Sequence, residues 1–75
     1  MCLAVPGKVT SVATESAGRL GTVDFGVSTR TVDLVFVPEA GVGDWVITHS
    51  GYALRLISEE DAAATIELLE AMPPG

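Results

Sequence analysis

Basic residues, cysteine, histidine and aromatics are all scarce in this 75-residue chain, and each shortage closes off a class of function. Four Lys and Arg stand against ten Asp and Glu, giving a net charge of −6. Nucleic-acid binding needs clustered cations to neutralise phosphates, and single-strand binding adds stacked aromatics. Four aromatics (Phe25, Phe36, Trp45, Tyr52) in an acidic chain speak against both, so no nucleic-acid partner is expected. A single cysteine excludes an internal disulfide framework and an all-cysteine metal cage within one chain. No apolar run approaches the 18 or so residues of a membrane span, so no membrane partner is expected either. Residues 1–7 carry neither a basic region nor a long apolar segment, so no secretory leader is expected, and the expected setting is cytoplasmic and reducing. A chain of this length hides only about 60% of its unfolded surface, too little for both a full core and a large preformed active-site cavity. One small domain is expected over residues 1–75.

What is abundant is β-branched. Val, Ile and Thr number 20, and 18 of them precede residue 58. Such side chains suit a pleated, half-buried surface. Five short strands are predicted, over residues 3–13, 19–25, 28–37, 45–49 and 52–57. The first should bend at Pro6-Gly7, with the proline at a strand edge, a bend or a bulge, because it cannot donate to a ladder. In the third, Val32, Leu34 and Phe36 alternate with Thr31, Asp33 and Val35. In the fifth, Tyr52, Leu54 and Leu56 fall on one face by the same period of two. Residues 38–43 read as a loop, and Ser50-Gly51 as a turn.

The period then changes. Ser58 is a good N-cap, Asp61 stands three residues on, and Glu59, Glu60 and Asp61 place negative charge where the helix dipole favours it. Ala62, Ile66, Leu69 and Met72 form one apolar stripe, and Pro73-Pro74 stops the helix. Short strands with Gly-rich turns dispose of their edges by closing. The predicted fold is therefore mainly β: a small five-stranded OB-like or SH3-like barrel over residues 1–57, followed by one amphipathic C-terminal helix over 58–72. Charge divides along the same line. Residues 1–58 hold five acids and all four bases, whereas residues 59–75 hold five acids and no base. The acidic helix is either a solvated face or a docking face for a basic partner.

Three features could carry chemistry. Cys2 is small enough for the initiator methionine to be removed, which would leave a terminal residue with both an ammonium and a thiol. The ammonium favours the thiolate, which attacks electrophiles and binds soft metals. The alternative is an inert, buried cysteine. His49 ends a strand beside a glycine turn and shares alternation with Trp45 and Ile47, which predicts partial burial. It is either structural or an imidazole at the barrel rim serving as proton carrier, metal ligand or hydrogen-bond donor. Pro6 and Gly7 form either a plain bend or one that aims the terminal thiol outward. One thiol and one imidazole cannot close a four-ligand zinc site, though they can contribute to a metal shared with another protein. Cysteine–histidine catalysis would also want an orienting group, an oxyanion hole and a cleft, none of which the spacing shows. The residues favour a non-enzymatic binding or transfer module completed by a partner.

Two segments resemble a known family. Met1-Cys2-Leu3-Ala4-Val5-Pro6-Gly7-Lys8-Val9 is similar to the N-terminal signature of the HypC/HupF family of hydrogenase maturation chaperones. Residues 43–53 resemble its second block: glycine, aromatic, a short apolar run, then His-x-Gly-aromatic-Ala. The resemblance covers about residues 1–72 and implies a job in assembling [NiFe]-hydrogenases. It implies a HypD-like iron–sulfur scaffold as partner, iron bearing two cyanides and one carbon monoxide as the transient group, and the immature hydrogenase large subunit as recipient. It also implies a link to carbon dioxide as a source of the carbonyl ligand. Cys2 matches the family's essential cysteine, expected to bind iron or contact a partner cysteine. His49 matches its motif histidine, and Pro6 and Gly7 match the segment that shapes the terminus. The resemblance runs to just past the helix, where some members of the family continue with a longer acidic tail, so no partner contact through such a tail is expected. The other reading weighed against this one is a barrel-fold protein–protein adaptor in which Cys2 is incidental.

Overall fold

The structure is a computed structural model that describes residues 5–15 and 18–71. Strand β1 spans Val5–Glu15, β2 Gly18–Asp24, β3 Thr29–Asp33, β4 Trp45–His49 and β5 Tyr52–Ile57, and helix α1 spans Glu59–Ala71. The strands close into a barrel in the order β1-β2-β3-β5-β4. This is the predicted architecture. Closure is thinnest at the parallel seam between β3 and β5, where Asp33 pairs with Tyr52 and the Asp33 amide donates to the Gly51 carbonyl at 2.9 Å. A seam of this kind fits the OB-like form of the expectation, a barrel that is partly open.

Register sorts the side chains. Val9 pairs with Val23, Gly7 with Val46, Gly21 with Val32 and Thr48 with Ala53, and all but Gly7, Gly21 and Thr48 belong to the hydrophobic core. Partners across a ladder share a face, so these pairs line the interior. Val12 packs against the same core although it stands three residues after Val9, which strict alternation forbids. The register shift between Val9 and Ser11 resolves this: a bulge at Thr10 resets the phase so that both valines point inward. The irregularity of β1 therefore lies at Thr10 and not at Pro6-Gly7. Pro6 nonetheless occupies an edge, because residues 5–7 pair with β4 alone and pairing to β2 starts at Lys8. The predicted start of this strand at Leu3 and Ala4 lies outside the described residues.

Two predicted elements differ in the structure. The third strand ends at Asp33 instead of running to residue 37. The Asp33 carboxylate accepts from the Val35 amide at 2.9 Å, and turns follow in which Val37 donates to the Leu34 carbonyl and Ala40 to that of Val37. The spacing changes from two to three, so Leu34, Val37 and Ala40 are buried and Phe36 is exposed. In β5, Ile47 pairs with Arg55 but Thr48 pairs with Ala53, so Leu54 is an extra, bulged residue. The bulge moves Tyr52 and Leu56 to different faces, Tyr52 opposite His49 and Leu56 opposite Val46.

Helix α1 begins as predicted, with the Asp61 amide donating to the Ser58 hydroxyl at 3.0 Å. It lies against β1 and β4 through fully buried Ala62 and half-buried Ile66 and Leu69. Met72 and the terminating prolines lie outside the described residues. Among the described residues, no helix is long and apolar enough to cross a membrane.

Candidate functional site

Two hairpin turns and the start of β1 meet at one end of the barrel. The β4–β5 hairpin turns through Ser50 (φ 54°) and Gly51 (φ 84°), a two-residue type I′ turn flanked by the paired His49 and Tyr52. Glycine adopts that backbone freely, whereas serine is strained in it. The β2–β3 hairpin turns through residues 25–28, closed by the Phe25 amide on the Ser28 carbonyl at 2.9 Å and the Gly26 amide on the Asp24 carboxylate at 2.7 Å. The third component is the start of β1. Val5 pairs with Thr48, whose hydroxyl donates to the Val5 carbonyl at 3.0 Å. Between them opens a cleft of about 340 Å³, lined by apolar Val5 and Phe25 and by polar Arg30, Thr48 and His49.

His49 is half-buried, as are Trp45 and, more deeply, Ile47, in line with their shared alternation. Pro6 and Gly7 are both buried but serve opposite faces. Gly7 faces into the barrel, where an added Cβ would collide with the Val23 side chain and come within 2.9 Å of the Phe25 ring. Only glycine lets β1 pass this close to β2. Pro6 pairs with Ile47 on the outer face and borders a second groove, of about 490 Å³, beneath Ile66 of the helix. The pair thus locks the first described residues between core and helix, so that Val5 emerges beside Thr48 and His49. Cys2 lies outside the described residues. Three residues of chain span at most roughly 11 Å, so covalent geometry alone keeps Cys2 within that distance of Val5.

Arg30 is absent from the expectations drawn from sequence. It pairs with Val23, a core residue, and therefore comes off the inner face of β3 at the barrel mouth. The signal was present in the chain: Arg30 stands two residues before Val32 and four before Leu34, placing a charge in phase with two core positions. Among the described residues no group of three or more His, Cys, Asp or Glu could hold a metal ion.

The profile of the HupF/HypC family matches residues 1–69. The chain belongs to the HupF/HypC family. Hydrogenase maturation factor HypC of Synechocystis sp. is 46% identical over 68 residues, covering 88% of this chain and 90% of its own. HypC of Cupriavidus necator is 38% identical over 77 residues, covering 99% and 82%. Hydrogenase maturation factor HybG of Escherichia coli K12 is 34% identical over 76 residues, covering 96% and 92%. The family match includes residues 1–9 and 43–53.

Proposed function

We propose that this HupF/HypC protein acts in the cytoplasm as a non-enzymatic chaperone of [NiFe]-hydrogenase maturation. It works with a HypD-like iron–sulfur scaffold and carries the Fe(CN)2CO group, through the Cys2 thiolate, to the immature large subunit. The relatives that are named hydrogenase maturation factors support the role. The observation that carries the finer reading is the Val5–Thr48 pairing. It ties the strand that follows Cys2 to the strand end bearing His49, which supports a reading in which both residues serve one group.

The chemistry suits a carrier. Low-spin iron with cyanide and carbonyl ligands accepts a soft thiolate. A single ligand from the carrier keeps the bond exchangeable, and the remaining positions stay open to the scaffold or the recipient. His49 lies close enough to the cleft to donate a hydrogen bond to the group or to orient it. The Cys2→Ala variant tests this in cells. Hydrogenase activity is expected to be lost while the purified variant keeps the wild-type melting temperature. Full hydrogenase activity in that strain would end the carrier reading and favour an adaptor in which Cys2 is incidental.

A further inference from the structure

The polar residues that line the cleft carry donors. They are Arg30, His49, Ser28, Ser50 and Thr48, and among the described residues no Asp or Glu lines it. This holds in a chain of net charge −6, where acids outnumber bases by more than two to one. The contrast with Arg19 is direct. Arg19 is committed to structure, its two terminal nitrogens donating to the Pro38 carbonyl and, at 2.6 Å, to that of Ala40. Arg30 instead stands on the inner face of its strand, at a position whose partner, Val23, is core. Inward-facing positions of small barrels are normally filled by apolar side chains. Arg30 is exposed at this mouth, in a cleft that Val5 and Phe25 also line, and a guanidinium there can hydrogen-bond an anion.

We propose that Arg30, together with His49 and the Ser28 and Ser50 hydroxyls, forms a recognition site for metal-bound cyanide. The inference rests on the iron-group reading above and deepens it. Metal-bound cyanide carries negative charge and presents its nitrogen outward as an acceptor, which a planar fork of N–H donors matches. Metal-bound carbon monoxide is a poor acceptor, so the donors select the cyanides. The cleft thereby distinguishes the two kinds of diatomic ligand and holds the cyanides toward Arg30. Arg30 is a binding residue for the cargo and takes no part in forming it.

The probe is dicyanoaurate(I), a monoanion with outward cyanide nitrogens, titrated into the 15N-labelled full chain carrying Cys2→Ala. Removing the thiol prevents ligand exchange at gold and makes the result independent of whether Cys2 holds iron. Saturable shifts are expected at the amides of Val5, Arg30, His49 and Gly51. Adding Arg30→Gln should weaken binding about tenfold or more, the loss of one charge-assisted hydrogen bond, and Arg30→Lys should restore part of it. Amide dispersion reports that each variant is folded. The proposal is overturned if saturable shifts are absent or lie away from the cleft, if perchlorate produces them equally, or if Arg30→Gln binds as before. That failure would leave the Cys2 reading standing, whereas an active Cys2→Ala strain would remove the iron-group reading on its own.

Discussion

The crossover between β3 and β4 and the cleft at the barrel mouth are built on opposite plans. In the crossover, polar groups satisfy the backbone and apolar groups fill the interior. Asp33 and Asp44 accept from nearby amides, Arg19 ties down two carbonyls, and Leu34, Val37 and Ala40 drop into the core. In the cleft, an exposed arginine and a half-buried histidine line the barrel mouth, and a serine is held at positive φ. One region is optimised for stability, and the other carries polar groups and backbone strain that stability does not require. Such departures from good local chemistry are where function is to be sought.

The comparison can be broken by substitutions on either side. The largest stability effect is expected in the crossover. Leu34→Ala removes a fully buried side chain that also packs on Gly21, and should cost about 3 kcal/mol in urea unfolding. Each molecule that remains folded should still carry cargo normally. A fully stable Leu34→Ala variant would show that the crossover is not the plug described. His49→Ala should do the reverse. Stability should change by less than about 1 kcal/mol, the usual range for a side chain outside the core. Hydrogenase activity should fall severalfold without vanishing. Full activity would reduce His49 to a structural residue. The smallest effect is expected at the hairpin tip. Asn is better suited than Ser to positive φ, so Ser50→Asn should raise stability by about 0.5 kcal/mol, or roughly 2–4 °C in melting temperature. A lower melting temperature would contradict the strain assigned to Ser50. Loss of cargo binding in that variant would sharpen the comparison, tying the strained turn to the site.

Most of the architecture was legible in the chain, for identifiable reasons. The β-branched runs, the glycine turns and Ser58 as cap are local signals, and each element they predict is present. The misplacements have one cause: strand alternation was carried through positions where the backbone changes phase. An Asp at residue 33 whose side chain can turn back on residue 35 ends the third strand, and no periodicity reports it. The bulges at Thr10 and Leu54 arise from closing the sheet into a barrel, a demand no single strand records. The site was legible through its unusual residues, the lone histidine and the glycines around it. Arg30 was passed over because arginine is ordinarily a surface residue, and only the pairing with Val23 shows which face it occupies.

The central claim is that a thiolate at Cys2 holds an iron group bearing cyanide and carbonyl. Infrared spectroscopy of the protein purified with its partners from cells tests it most directly. Cyanide and carbonyl stretching bands are expected with the wild-type chain and should be absent with Cys2→Ala at equal recovery of partners. Bands of undiminished intensity in the Cys2→Ala complex would contradict it.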